Sequence, residues 1–120
     1  MKNSLVLAYL GDSIYEVYIR KYLIDKGIVK VNILQSESIK YVSAKSQAKY
    51  LKEMMDINFF NEEEIDIIIK ARNHKNNHKP KNCDIITYKY STGFEALIGY
   101  LYLNKKEDRI KEIIDFITRR

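Results

Sequence analysis

The sequence predicts an all-α single domain, and three observations predict it. Only one proline and four glycines interrupt its 120 residues. No Asn-Gly or Asp-Gly pair marks a β-hairpin. Apolar residues recur at helical rather than alternating spacing along most of the chain. A chain of 120 residues, 46% of them apolar, suits one domain, residues 1–120, with a real core.

The elements follow in order. Leu5 to about Lys26 reads as a first helix, in which Val6, Leu10, Ile14, Val17, Tyr18 and Leu23 keep the 3.6-residue period loosely and Gly27 is the stop. Asn32 is expected to cap a short helix reaching about Lys40. Ser43 is expected to cap the next, to about Met55. Asn61 followed by Glu64 has the spacing of a capping box and opens a helix through about Ala71. Glu62, Glu63 and Glu64 in its first turn suit the positive end of the helix dipole. RNHKNNHKPKNCD then breaks the pattern. A loop over about 73–86 is long for a compact domain and points to function. Helix resumes from about Thr87 to Leu103. A last helix, about Glu107 to Thr118, carries Ile110, Ile113, Ile114 and Ile117 on one stripe.

Charge and composition narrow the function. The net charge is +5, from 21 basic and 16 acidic residues. Lys70, Arg72, Lys75, Lys79 and Lys81 lie in a stretch without Asp or Glu, so this one segment holds the formal excess. His74 and His78 add charge at lower pH. A localised basic patch points to a polyanion. No stretch approaches the roughly 18 apolar residues of a membrane span, and no secretory leader is evident, so no membrane partner is expected. The lone Cys83 fits a reducing compartment, the cytoplasm, and has no assignable catalytic partner. Most of the ten tyrosines fall at helical spacing, as packing residues do.

Two acids stand out. LAYLGDSIYEVYIRK, residues 7–21, places Asp12 in a run that is uncharged from Asn3 to Gly11. STGFEALIGYLYL, residues 91–103, holds Glu95 as its only carboxylate. An ionised carboxylate in apolar surroundings costs several kcal/mol unless something pairs with it. Gly11 precedes Asp12, and Gly93 and Gly99 flank Glu95. Glycine within a helix costs roughly 1 kcal/mol against alanine, a cost usually accepted where another backbone comes close. The two helices are therefore expected to pack at their glycines and bring Asp12 beside Glu95. A hard divalent cation such as Mg²⁺ would then relieve their repulsion. Neutralisation by Lys or Arg, or escape to solvent, is the plainer alternative.

LGDSIYE and STGFEALIGYLYL together resemble the catalytic domain of ribonuclease III, and most closely its short form. VSAKSQAKYL (42–51), ARNHK (71–75) and PKNCD (80–84) resemble the connecting segments of that form in the same order. The resemblance implies a ribonuclease III-type all-α endonuclease domain that cleaves double-stranded RNA. It further implies Asp12 and Glu95 as catalytic metal ligands, with Mg²⁺ as cofactor and Mn²⁺ able to substitute. A homodimer and 5′-phosphate and 3′-hydroxyl ends follow from it as well. So does a role in maturing bacterial large-subunit (23S) ribosomal RNA. Full-length members have two further acids; their places here hold Ala8 and Thr92, as in the short form. Thr92 and Glu16, one turn after Asp12, are candidates for supporting the ligands, although Glu16 also reads as a solvated residue. Arg72, Asn73, Lys75, Lys79 and Lys81 are the candidate RNA contacts. The competing reading is a non-catalytic RNA-binding module that kept the fold.

Overall fold

The computed structural model describes residues 3–75 and 83–119. Six helices account for its elements: α1 (Ser4–Asp25), α2 (Val31–Val42), α3 (Ala44–Asp56), α4 (Glu62–Arg72), α5 (Ile85–Leu103) and α6 (Glu107–Thr118). No strand occurs among the described residues, so the all-α expectation stands.

Local chemistry sets most boundaries. Asn3 caps α1, its Oδ1 accepting from the Val6 N–H at 2.9 Å. Gly27, at φ +95°, takes the left-handed turn that ends the helix. Ser43 closes α2 and opens α3, its Oγ accepting from the Ser46 N–H at 3.2 Å. The Asn61–Glu64 capping box forms in full, with bonds of 2.8 and 3.0 Å.

Two starts differ from expectation. The second helix begins at Val31, so Asn32 lies inside its first turn and Lys30 is the cap, without a side-chain bond. The backbone ladder already starts at the Lys30 carbonyl, which accepts from Leu34 at 2.9 Å. The fifth helix begins at Ile85, not Thr87. The Asp84 carboxylate accepts from both the Thr87 N–H (2.8 Å) and its hydroxyl (2.9 Å), which makes Asp84 the cap.

The centre of the molecule is α5. From Ser91 to Gly99 every residue is buried except Glu95, which is half-buried. Helices α1, α3, α4 and α6 all pack on α5, and the α1 contact is the most extensive. Where they meet, a Cβ on Gly11 would overlap the Glu95 carbonyl oxygen, and one on Gly99 would overlap the Leu7 carbonyl oxygen. The two main chains therefore touch, as the glycine placement predicts. Gly93 has a different neighbour: its missing Cβ leaves room for the Ile68 carbonyl of α4, 3.0 Å away.

This contact rotates α1 away from its loosely periodic stripe. The buried face is Leu7, Ala8, Gly11, Tyr15, Ile19 and Leu23. Val6 and Val17 remain 48% and 60% exposed. The tyrosines mostly pack: Tyr15 is fully buried, meets Phe94 edge-on and donates to the Tyr41 carbonyl at 2.9 Å. Across the core, Arg109 of α6 grips buried Glu64 with two bonds of 2.8 and 2.9 Å and donates to the Phe59 carbonyl at 2.7 Å.

The α1–α5 contact yields a sign test. Gly99→Ala should add helix propensity worth about 1 kcal/mol. Its Cβ must nevertheless force two backbones apart, so we expect a net loss on the order of 2 kcal/mol. Urea unfolding measures the difference; a stabilised Gly99→Ala protein would contradict the contact.

Candidate active site

The residue after Gly11 and the residue four before Gly99 are the two lone acids. The backbone contact therefore brings Asp12 and Glu95 together: Asp12 is exposed, Glu95 sits half-buried beside it, and a hydrogen bond joins their carboxyl groups. Among the described residues neither acid forms an ion pair with Lys or Arg. Of the plainer alternatives, neutralisation by a basic side chain is thus not what the fold does, while Asp12 does reach solvent.

The pair carries a strain that shows in its protons. Burial, and then the Asp12 charge and hydrogen bond, push the Glu95 carboxyl up from an ordinary 4.5 to about 8. One contact acts the other way: Gln47 Nε2 donates to Glu95 Oε2 at 3.3 Å. The same nitrogen donates to the Val42 carbonyl at 3.2 Å, at the junction of α2 and α3. Gln47 is almost wholly buried, and its Oε1 finds no partner. Sequence reasoning passed over Gln47 inside VSAKSQAKYL. The available signal was a polar residue on the face of α3 that also carries Ala48, Leu51 and Met54.

The other expected residues fall around this pair or apart from it. Glu16 is taken up by Arg20, at 2.8 Å. Thr92 is buried and its hydroxyl donates to the Tyr88 carbonyl at 2.9 Å. Ala8, where longer relatives of the resembled family have an acid, is packed with Leu7, Ala71 and Ala96. Arg72 ends α4, with its Nε donating to Asn73 Oδ1 at 3.2 Å, and Lys75 is exposed. Lys79 and Lys81, with His78, lie outside the described residues. No group of three His, Cys, Asp or Glu side chains is placed to hold a metal among the described residues. Among the described residues, a cation here would have the two carboxylates of Asp12 and Glu95.

A helical domain whose two central helices each bring one acid to their point of closest approach is built as a ribonuclease III domain is, and the family model for that domain matches residues 5–106. Curated relatives named Mini-ribonuclease 3 align along nearly the whole chain. The Brevibacillus brevis protein is 49% identical, covering 95% of this chain and 84% of that one. The Staphylococcus aureus protein is 45% identical (96% and 86%), and the Enterococcus faecalis protein 42% (98% and 89%). A crystal structure of a Fusobacterium nucleatum protein superposes with a TM-score of 0.86 at 38% identity, covering 98% of this chain and 92% of that one. The chain belongs to the Mini-ribonuclease 3 group of the ribonuclease III family. It is an endoribonuclease of a family that acts on double-stranded RNA with divalent metal, which sets aside the non-catalytic reading.

The raised Glu95 carboxyl predicts a pH dependence for the metal-free protein. Below about pH 4.5 folded and unfolded chains both keep this proton, and it does not affect stability. As pH rises, the unfolded chain loses the proton first, so stability falls until about pH 8, where both states are ionised. Thermal unfolding in a chelator should therefore show a midpoint that declines through this window. Glu95→Gln should lack that component, and equal slopes in the two proteins would count against the buried pair.

Proposed function

We propose that this chain is a Mg²⁺-dependent, homodimeric endoribonuclease of the bacterial cytoplasm. Double-stranded RNA is its substrate, and the precursor of large-subunit (23S) ribosomal RNA is the particular one. The observation that carries the catalytic part is the Asp12–Glu95 pair: two neighbouring acids, the Glu95 carboxyl raised to about 8, with no ion pair to Lys or Arg among the described residues. The residues fit the metal. Mg²⁺ is held by one or two carboxylates, keeps several waters and takes substrate phosphate oxygens as further ligands. Mn²⁺ prefers the same donors and can replace it. The ribosomal substrate and the cytoplasmic location rest on family resemblance; no described helix is long and apolar enough to cross a membrane.

In this reading Asp12 and Glu95 are the ligands. A metal held by them would supply a lowered pKa for a coordinated water and charge stabilisation at the phosphate and the leaving 3′ oxygen. Glu95 gives up its proton to become a ligand, so affinity for the ion rises with pH. The Gln47 amide bridges Oε2 of Glu95 and the Val42 carbonyl at the α2–α3 junction, which orients the carboxylate. Thr92 stays tied to its own helix and Glu16 to Arg20, so neither is offered to the metal as a ligand. Arg72, Asn73, Lys75, Lys79 and Lys81 supply phosphate contacts at the end of α4 and beyond. Duplex RNA is recognised mainly by shape, 2′-hydroxyls and phosphates.

Asp12→Asn and Glu95→Gln should each reduce cleavage of duplex RNA by several orders of magnitude, with duplex DNA and single-stranded RNA uncut by the parent. Both should keep the fold, since each removes charge and little volume. Near-parental cutting by either variant, at the same Mg²⁺ requirement, would refute the two-carboxylate site.

The partner is a second copy of the chain. Leu10, Val17 and Ile24 lie seven residues apart, two turns each, on the outer side of α1. Val17 and Ile24 are 60% and 56% exposed, and nearby Tyr9 is 82% exposed. An apolar stripe of this kind on a soluble helix marks an interface. A dimer also supplies the two sites that cutting both strands requires. Val17→Asp should convert the protein to a monomer in sedimentation at micromolar concentration; a Val17→Asp dimer would mean that another face joins the copies.

A further inference from the structure

Tyr90, in the first half of α5, packs against the core and also carries charge on its ring. Two cations from two other helices converge on its ring. The Lys52 ammonium of α3 lies 4.7 Å from the ring centroid, and the Arg72 guanidinium of α4 lies 5.7 Å from it. Each contact alone is a favourable cation–π interaction. Together they hold two like charges on one ring, which is unfavourable unless an anion joins them. Elsewhere in the chain Arg20, Lys21, Lys40, Lys106, Arg109 and Arg119 all find carboxylates. Lys52 and Arg72, like Lys45, Lys49 and Lys89, form no ion pair among the described residues, and residues 76–82, next along the chain, contain no Asp or Glu.

The surroundings give the cluster a shape. Arg72 and Tyr90, with Asn73, Ile86 and Lys89, line a groove of ≈ 210 Å³. Lys45 and Lys49 precede Lys52 at helical spacing and are exposed, so a row of cations runs along α3 toward the groove. Position along α5 ties this patch to the chemistry. Tyr90 precedes Glu95 by five residues, about 7.5 Å along the helix axis. On α3 the order reverses, Gln47 meeting Glu95 and Lys52 meeting Tyr90. The two helices therefore run antiparallel and carry both sites on the same pair of supports.

We infer that Lys52 and Arg72, gathered on Tyr90, with Lys89 lining the adjoining groove, form a fixed phosphate subsite for the RNA backbone beside the scissile position. The inference rests on the reading of this chain as a duplex-RNA nuclease and extends it to residues of α3 and α5. The ring acts as a platform. It keeps the Lys52 and Arg72 side chains extended before RNA arrives, so less side-chain entropy is lost on binding. The subsite belongs to the helical body and needs no metal.

The test is binding of the metal-free full chain to two unrelated RNA duplexes over a salt series. Lys52→Gln should weaken both duplexes by a similar factor, roughly three- to ten-fold, and flatten the salt dependence, as loss of one phosphate contact does. Tyr90→Leu should do the same by releasing both cations. Tyr90→Phe keeps the ring and should bind as the parent does. Lys52→Gln added to Tyr90→Leu should cost little more, because both remove one unit. Thermal unfolding of each variant checks that the fold is kept. If the parent binds duplex RNA and Lys52→Gln binds it with unchanged affinity and salt slope, the subsite is wrong and the nuclease reading survives. Loss on only one of the duplexes would likewise overturn it, since phosphate contacts carry no sequence. A parent that binds neither duplex at low salt would overturn the nuclease reading itself.

Discussion

The contact of two main chains, α1 at Gly11 and α5 at Gly99, is the constraint on which the rest of the molecule depends. Side chains change rotamer, but a backbone-to-backbone contact has no such freedom. The separation of Asp12 and Glu95 is thereby set by helix geometry. The cost is accepted in two places: glycines inside helices, and a rotation of α1 that leaves Val17 and Ile24 uncovered. The second cost becomes useful if a second copy covers the stripe.

The chain treats its two sheltered acids in opposite ways. Glu64 is almost completely buried, and burial alone would raise its carboxyl. Two bonds from Arg109 and one from the Asn61 N–H outweigh that and lower it. It is an acid with every need met, and its work is to fasten α6 to α4. Glu95 has an amide, a second acid and, among the described residues, no ion pair, and its carboxyl goes up. An acid left wanting at a helix contact is available for chemistry, and an acid with a complete set of partners is not.

Much of this was legible in the sequence because it rests on local chemistry. Ser43, the Asn61–Glu64 box and Gly27 act over three or four residues and fall where expected. The meeting of Asp12 and Glu95 was also legible, through glycines whose cost needed a reason. The burial face of α1 was not. That helix is apolar on nearly every side, and only its partner decides which side turns inward. Asn32 misled because a good capping residue two positions past the cap does not cap. Asp84 was overlooked at the edge of a polar run. Gln47 meets Glu95, and Tyr90 meets Lys52, across more than thirty positions, and no local pattern predicts such a partner. The same distance hid the Arg109 grip on Glu64, although the cap half of that arrangement was plain.

Asp12 and Glu95 stand about eighty residues apart in the chain, and this has a consequence for synthesis. A nascent polypeptide leaves the ribosome with α1 first, and at that stage the buried side of α1 has nothing to lie against. Helices α2, α3 and α4 can form meanwhile from their own caps, but the central helix is still being made. The nuclease therefore has no assembled pair of acids until α5 has cleared the exit tunnel. On the proposed reading of that pair, activity awaits the fifth helix, and the chain is silent through most of its own translation.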